Sequence, residues 1–318
     1  MARTTRIFFV ADIHGSALCF RKFVNAASVY RADVLLVGGD ISAKTLTPLF
    51  PEDGGWTVSV EGARRTARTD EEVALLEARL RDEATVPFRT SIAEWDELLA
   101  DRRKADAVFE RLELEELRRW LEWARERLGS SSTRLLLGLG NDDLDSMEDV
   151  IEADELAELT DREILWIDDH HELLTLPYSN PTPWSTNREL GEAEIEQRLT
   201  VLSHRLHDPS SAIFNIHVPP HGTPIDLAPR LTADLTKVMT PGGEPDMIHV
   251  GSTSVRAMLQ RSQPLLSLHG HIHESKGFLR LGRTDVINPG SAYTEGTLLG
   301  AVIDLAPDKV RSYALTAG

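Results

Sequence analysis

The chain has 318 residues, a hydrophobic share of 41% and a formal net charge of −17. This length accommodates one large α/β domain or two small ones, and the apolar share excludes a disordered chain. The single cysteine excludes an intramolecular disulfide and any metal cluster built from cysteine alone. The negative balance argues against sequence-independent binding to nucleic acid or anionic membrane, although a bound cation can reverse the sign locally.

The N-terminal segment contains nothing that resembles a membrane anchor or a leader. Residues 1–6 run into the apolar stretch Ile7 to Val10, which is too short for the core of a signal peptide. No part of the chain reaches the apolar length of a membrane span. We therefore expect a cytoplasmic protein without a membrane partner.

The first forty residues have the pattern of a β-α-β unit. An apolar run at 7–11 predicts a buried strand, apolar positions at helical spacing predict a helix over 16–30, and a second strand is expected at 34–37. The two strands are followed by Asp12 and Asp40. Ligands of open α/β sheets bind at the carboxyl ends of the strands, so both carboxylates are candidate site residues.

Residues 44–132 differ in composition from the rest of the chain. Prolines 48 and 51 and the pair Gly54-Gly55 indicate a loop, and 70–128 is rich in Leu, Ala, Glu and Arg, as in long helices. We expect a helical insertion of two or three helices here. The apolar stripe favours a packing layer, and the alternatives are a lid or an arm for homo-oligomerisation. The stripe consists of Leu114, Leu117, Leu121, Ala124 and Leu128.

The remainder of the chain alternates between short apolar runs and helical patterns, without an internal repeat. Proline-rich residues 177–184 predict a loop. In chain order we expect a strand at 134–139, a helix at 147–159, a hairpin of 164–167 with 173–176, a helix at 189–206, a strand at 212–216, a helix at 254–261, and strands at 265–268, 285–287, 298–304 and 310–315.

Five predicted strands end in residues that can bind metal. A lone histidine or a polar loop at a strand end is common, so each segment is weak by itself. Five of them in one chain, all at carboxyl ends of strands, are difficult to attribute to chance. They are Asp12-Ile13-His14, Gly39-Asp40, Gly140-Asn141, His217 and Gly270-His271-Ile272-His273.

This ordered set resembles the motifs of the calcineurin-like metallophosphoesterases. Asn288-Pro289-Gly290-Ser291, after a predicted strand, is similar to the smaller bacterial and archaeal phosphodiesterases of that family. The resemblance implies a two-sheet α-β-β-α sandwich formed by a single domain over 1–318. Residues 44–132 would be an insertion within that domain.

The resemblance also implies a dinuclear metal centre. Asp12, His14 and His273 would hold one ion, Asn141, His217 and His271 the other, and Asp40 would bridge them. Oxygen and imidazole ligands without thiolate suit two divalent ions of Mn, Fe or Zn. Such a pair can supply a bridging hydroxide at neutral pH and neutralise phosphate charge during in-line attack on phosphorus.

The sequence departs from the family pattern directly after Asn141. Many members have a substrate-contacting histidine there, but this chain has Asp142. An ionised aspartate cannot donate a proton and repels phosphate. Three interpretations remain open: Asp142 is protonated in a dry site, it caps the next helix, or another residue such as His221 supplies the acid. The candidate catalytic residues are therefore Asn141, Asp142 and His221.

These observations predict metal-dependent hydrolysis of a small phosphate ester, more specifically a phosphodiester or a nucleotide. The alternative is a metal-binding scaffold or interaction module on the same fold, and Asp142 is the feature in its favour. The negative charge is concentrated, because residues 142–172 hold fourteen acidic residues and one arginine. Nucleic acid is therefore not excluded as a partner of the remaining surface.

Overall fold

The computed structural model describes residues 4–60 and 62–318, which form eighteen strands and seven α-helices. The α/β class expected from the sequence is confirmed. Residues 1–3 of the N-terminal segment and residue 61 of the insertion lie outside the described residues. Among the described helices, none combines the length and the apolar character needed to cross a bilayer.

The strands, in chain order, are β1 (Thr5–Val10), β2 (Val34–Gly38), β3 (Leu46–Glu52), β4 (Gly55–Val60), β5 (Ala63–Ala67), β6 (Val86–Arg89), β7 (Arg134–Gly138), β8 (Ala157–Leu159), β9 (Leu165–Trp166), β10 (Glu172–Leu176), β11 (Ile213–Ile216), β12 (Leu227–Pro229), β13 (Met247–His249), β14 (Leu266–Leu268), β15 (Gly277–Leu281), β16 (Thr284–Asn288), β17 (Leu299–Ala306) and β18 (Lys309–Ala317). The helices are α1 (Ala17–Tyr30), α2 (Asp70–Asp82), α3 (Ile92–Ala100), α4 (Arg102–Leu128), α5 (Met147–Glu152), α6 (Glu192–Ser203) and α7 (Thr253–Ser262).

Two six-stranded sheets dominate the fold. The first has the order β18-β17-β1-β2-β7-β8, with β1, β2, β7 and β8 parallel. The second has the order β15-β16-β14-β11-β10-β9, with β16, β14, β11 and β10 parallel. Each sheet therefore contains four consecutive parallel strands, and ligands of such sheets bind at the carboxyl ends.

The two sheets face each other across a shared core. In β1, Ile7 and Phe9 join a buried cluster that also contains Leu173 and Leu266 of the second sheet. The alternate residue Phe8 belongs to a different cluster, on the outer face, where α1, α4 and α5 pack. A third cluster joins the outer face of the second sheet to α6 and α7. Alternation along the strands thus buries both faces of each sheet, giving four layers.

The segment 44–132 contains three helices, as expected. It also contains a sheet, which the sequence did not predict. Strands β5-β4-β3-β6 form this four-stranded sheet, with its own small apolar cluster beneath α2. The predicted apolar stripe of α4 is buried in the cluster shared with α1 and the first sheet. Phe20 and Trp120 stack there with ring centroids 4.5 Å apart. Helix α4 is therefore part of the main core, as the packing-layer interpretation requires.

Two local predictions were wrong. The loop expected around Pro48, Pro51 and Gly54-Gly55 is the hairpin of β3 and β4. Its turn residues Asp53 and Gly54 have φ values of 46° and 78°, the two positive values that a tight Asp-Gly hairpin turn requires. The helix expected over 147–159 ends at Glu152, because Asp154 accepts the amides of residues 156 and 157 and turns the chain into β8.

Candidate metal centre

Parallel strands of both sheets deliver polar side chains to one edge of the molecule. We call these side chains the seven-residue cluster. They follow β1, β2 and β7 in the first sheet and β11 and β14 in the second. The members are Asp12, His14, Asp40, Asn141, His217, His271 and His273.

One part of the cluster surrounds His14. Its Nε2 atom lies 3.0 Å from Nε2 of His273 and 3.5 Å from Oδ2 of Asp40. His273 Nε2 lies 3.6 Å from Oδ1 of Asp12. The ligand atoms of these four residues all lie within 4.8 Å of one another. Two imidazoles and two carboxylates at this spacing can hold a metal ion.

A second group of possible ligands shares Asp40 with the first. It consists of Asp40, His217 and His271, again with ligand atoms within 4.8 Å of one another. His217 Nε2 lies 3.4 Å from Oδ2 of Asp40, on the same oxygen that faces His14. A carboxylate common to two ligand groups is the arrangement that a bridging ligand needs.

Buried polar atoms without partners point toward a cation. His217 Nδ1 donates to the carbonyl of Gly38 at 3.1 Å, and its buried Nε2 has no hydrogen-bond partner among the described residues. Asn141 Nδ2 donates to Thr186 Oγ1 at 2.9 Å and to Asp142 Oδ1 at 3.0 Å, and the buried Asn141 Oδ1 likewise has no partner in the described part of the chain. An unpaired buried acceptor costs about 1–3 kcal/mol. Both atoms are metal-ligand types, so the residues fit divalent cations.

The electrostatics of the cluster also favour positive charge. Burial alone lowers the pKa of the His217 imidazole, but the carboxylates of Asp40 and Asp12 raise it to about 10. For Asp12, burial raises the pKa, and the neighbouring histidines, His273 first, hold it well below its usual range. Burial and the charge of His217 lower the pKa of His271 to about 3, so this imidazole is neutral and ready to act as a ligand.

The backbone of the cluster is strained at four ligand positions. Asp12, His14, Asp40 and His271 have φ values of 57°, 39°, 55° and 68°. Non-glycine residues rarely adopt this left-handed conformation, and each instance costs about 1–3 kcal/mol. Such strain concentrates at functional sites, where surrounding contacts hold it in place.

Glycines of the motifs allow the ligand loops to approach each other. A Cβ on Gly140 would lie 2.3 Å from Oδ1 of Asp40, and one on Gly270 would lie 2.6 Å from Oδ2 of Asp12. Neither distance is tolerated by real side chains, so the glycine before each ligand is required by close packing rather than by turn geometry.

Asp142 lies at the rim of the cluster. Its Oδ2 is 3.0 Å from Nζ of Lys44 and 3.8 Å from Nδ1 of His14. It does not cap α5, whose N-cap residue is Ser146. The capping interpretation is therefore wrong, and the carboxylate is an ion-pair partner of Lys44. The neighbour Asp143 is buried and accepts the amides of residues 41, 42 and 140, which fixes the loop after β2.

His221 lies elsewhere in the loop after β11. Its Nδ1 is 3.6 Å from Oδ2 of the buried Asp226, which also binds His249. Among the described residues, no hydrogen bond or ion pair joins the His221 side chain to the seven-residue cluster. The His221 side chain is therefore paired with Asp226, and its role as the acid stays a prediction.

Three residues at the site were missed by the sequence analysis. Lys44 neutralises Asp142, Thr186 orients Asn141, and the Tyr293 ring packs 4.8 Å from that of His14. Lys44 follows the Gly39-Asp40 motif by only four residues, which was an available signal. Thr186 lies in a loop far from the motifs in sequence, and no local pattern identified it. Tyr293 begins a short 3₁₀ helix two residues after the Asn288-Pro289-Gly290-Ser291 motif, which was also an available signal.

No family model matches the chain. It is 34% identical over 114 residues to an uncharacterised protein of Methanocaldococcus jannaschii. The aligned stretch covers 35% of this chain and 44% of that protein. The match thus spans less than half the length of this relative. One crystal structure aligns with 99% of both chains at 16% identity and a TM-score of 0.57.

The crystal structure of TT1561 of Thermus thermophilus aligns with 99% of both chains at 14% identity and a TM-score of 0.50. A novel archaeal phosphodiesterase aligns at 11% identity over 99% of this chain and all of its own, with a TM-score of 0.37 that is too low to support an inference. The first two likenesses support the α/β fold alone.

Proposed function

We propose that this chain is a calcineurin-like metallophosphoesterase that hydrolyses a phosphate ester, specifically a phosphodiester or a nucleotide of small size. The observation that carries the proposal is the Asp40 carboxylate, which belongs to both ligand groups at the meeting edge of the two sheets. A shared carboxylate between two groups of imidazoles is a poor structural element in an apo protein but a good bridging ligand.

The proposed ligands divide between two divalent ions. Asp12, His14 and His273 would hold one ion, Asn141, His217 and His271 would hold the other, and Asp40 would be common to both. When bound, such a pair acidifies a water molecule and neutralises phosphate charge. Mn, Fe and Zn all suit oxygen and imidazole donors without thiolate.

The protein's own groups keep these ligands oriented. The carbonyl of Gly38 keeps the proton of His217 on Nδ1, so Nε2 faces the cluster. Thr186 holds the amide of Asn141 with its oxygen free, and Ser291 Oγ donates to the carbonyl of Asp12 at 2.6 Å. These contacts prepare the site before substrate arrives, which reduces reorganisation during the reaction.

The proposal includes the domain organisation. Residues 1–318 act as one metallophosphoesterase domain of the α-β-β-α type, with 44–132 inserted into it. The burial of the α4 stripe in the main core supports this organisation. The scaffold alternative has less support, because Asp142 is neutralised by Lys44 rather than left to repel an anion.

The test is hydrolysis of bis(4-nitrophenyl) phosphate by the purified, Mn²⁺-loaded chain, together with metal analysis. We expect about two ions per chain and steady release of nitrophenolate. The Asp40→Asn substitution should abolish both metal binding and the release of nitrophenolate. Asp106→Asn, the same change at a side chain that is 69% exposed, should alter neither. A chain that binds no metal, or equal traces for wild type and Asp40→Asn, would disprove the proposal.

A further inference from the structure

The ammonium group of Lys44 is fixed at the rim of the seven-residue cluster. Its Nζ lies 3.0 Å from Oδ2 of Asp142, and 43% of the side chain is exposed. Asp142 in turn donates its backbone amide to Oδ1 of Asp40, at 2.9 Å. Lys44 is thus connected to the shared carboxylate through one residue, while part of its side chain still faces solvent.

Lys44 forms an ion pair with Asp142 at the rim of the seven-residue cluster. Burial by itself lowers the pKa of Lys44, but the carboxylates of Asp142 and Asp40 raise it above its usual value. The side chain is therefore a permanent cation at neutral pH.

The loop that carries Lys44 is immobilised by two buried carboxyl groups. Asp143 Oδ1 accepts the amides of Ile41 and Ser42 at 2.8 and 2.7 Å. Glu113, from helix α4 of the insertion, accepts the amide of Ala43 at 3.1 Å. Three consecutive amides before Lys44 are thus held, so the position of the ammonium is set by the core.

The local charge balance determines what this cation can do. The carboxylate of Asp142 at the rim would repel an approaching phosphate, and the neighbouring ammonium cancels that charge. An ammonium has three N–H donors, and the pair with Asp142 occupies one of them. The other donors of this exposed, fixed cation have no partner among residues 4–60 and 62–318, so they can bind an anion beside the candidate metal centre.

We propose that Lys44 binds a non-bridging phosphate oxygen of the substrate at this site, with Asp142 holding the ammonium in place. This inference rests on the proposed function and names the residue that recognises the phosphate. It also assigns a role to the insertion, because Glu113 of α4 anchors the Lys44 loop.

The experiment compares Lys44→Met with Lys44→Arg and with Lys104→Met. Lys104 is a matched control, because its Nζ pairs with Glu97 at 3.1 Å on α3 and α4, outside the cluster. Calorimetry of inorganic phosphate binding to the Mn²⁺-loaded proteins is the first measurement. Metal content and kcat/KM with bis(4-nitrophenyl) phosphate are the second and third.

Lys44→Met should weaken phosphate binding and lower kcat/KM by about 10- to 100-fold, as expected for loss of a charge-assisted hydrogen bond. Metal content should stay at the wild-type level. Lys44→Arg should remain within a few-fold of wild type, and Lys104→Met should not differ from it. Unchanged phosphate binding in Lys44→Met would overturn the inference while leaving the proposed function intact.

The double variant Lys44→Met/Asp142→Asn separates direct binding from simple neutralisation. If Lys44 only cancels Asp142, removing both charges restores phosphate binding to the level of Asp142→Asn. Direct binding predicts that the double variant stays about 10-fold weaker than Asp142→Asn. Full restoration would overturn the inference. A wild-type protein that neither binds phosphate nor cleaves the diester would overturn the proposed function as well.

Discussion

Thr186 Oγ1 accepts a hydrogen bond from Asn141 Nδ2 at 2.9 Å and donates to Oε1 of Glu189, also at 2.9 Å. The relay determines which end of the Asn141 amide faces the candidate metal centre. Its oxygen is buried and free of hydrogen bonds, as a ligand atom must be. A residue 45 positions away in sequence therefore orients a motif residue.

Thr186→Val should weaken metal binding at the group that contains Asn141. The valine keeps the shape but removes the hydroxyl, so Asn141 Nδ2 keeps Asp142 Oδ1 as its one acceptor and the amide is held less firmly in its ligand orientation. We expect a loss of about 10- to 100-fold in affinity for one of two ions, as for other partners that orient metal ligands. Metal titration checks this, and Thr186→Ser should retain affinity. If the valine variant bound two ions as tightly as the wild-type protein, the proposed hydrogen-bond relay would be refuted.

Metal binding should release a proton from His217 at pH 8. Its pKa of about 10 in the metal-free protein means that the imidazole is charged there, and a ligand must be neutral. Apparent affinity should therefore rise with pH until about pH 10. Calorimetry in two buffers of different ionisation enthalpy measures the released proton. The His204→Gln variant should release the same number of protons on metal binding as wild type. If wild type released no proton, the assignment of His217 as a charged group that becomes a metal ligand would be contradicted.

Glu113 should make stability depend on pH. Burial, followed by the charges of Asp143 and Glu116, raises its pKa to about 8 in the folded protein, against 4.5 as the ordinary value. Between these values the folded state keeps a proton that the unfolded chain has lost. The contribution of Glu113 to stability is therefore fully present below pH 4.5 and is lost as pH rises to about 8, by on the order of a few kcal/mol.

Denaturant unfolding between about pH 5 and 9, with a chelator present, measures this dependence. Glu113→Gln is neutral throughout, so its unfolding free energy should lose most of that slope. Glu115→Gln, at a side chain that is 46% exposed, should keep it. Parallel pH profiles for wild type and Glu113→Gln would show that Glu113 is not the titrating group.

Gly140→Ala should disrupt the cluster without unfolding the protein. The added Cβ would meet Asp40 Oδ1 at 2.3 Å, so the shared carboxylate has to move. We expect loss of bound metal and of diesterase activity together, with the far-UV circular dichroism unchanged. Gly242→Ala is the control, because the nearest atom to its Cβ would lie 3.8 Å away. A Gly140→Ala protein with full metal content would refute the packing argument.

Helix α4 should behave as part of the core rather than as a detachable arm. Leu121 is 2% exposed within the main cluster, so Leu121→Ala should cost about 2–5 kcal/mol of unfolding free energy. Leu99→Ala, on α3 at 70% exposure, should cost almost nothing. Equal, small effects of both substitutions would indicate that α4 is not anchored in the domain.

The positions of the seven candidate ligands were predictable because strand ends are local features. Apolar runs of about five or six residues identify buried strands, and the residue after each run lies at the carboxyl edge. Parallel strands meet at that edge, so five separate segments had to converge. Strand boundaries were correct within two residues at β1, β2, β7, β11 and β14.

Elements that depend on partners far away in sequence were harder to predict. Strand β8 is stabilised by pairing with β7, and its own sequence continues an acidic helical pattern. The hairpin of β3 and β4 contains two prolines, although Asp53-Gly54 was a usable turn signal. Local propensity cannot report such pairing, because strand stability comes from cross-strand neighbours.

The acidic segment 142–172 illustrates the same limit for charge. The sequence places fourteen acidic residues and one arginine in this segment. Three arginines from outside it offset part of the charge: Arg188 pairs with Asp145 and Glu148, Arg125 with Asp154, and Arg134 with Glu158. The number of charged residues can be read from the sequence, but their ion-pair partners cannot.

The amino-acid sequence by itself thus determined the α/β class and the candidate ligands, because strand ends and motif spacing are encoded within a few residues. Only the tertiary structure decided what surrounds Asp142. It pairs with Lys44, far earlier in the chain, while His221 turns to Asp226. Ion pairs between loops depend on how the sheets pack and on which charged groups are buried. Neither property can be read from a local stretch of sequence.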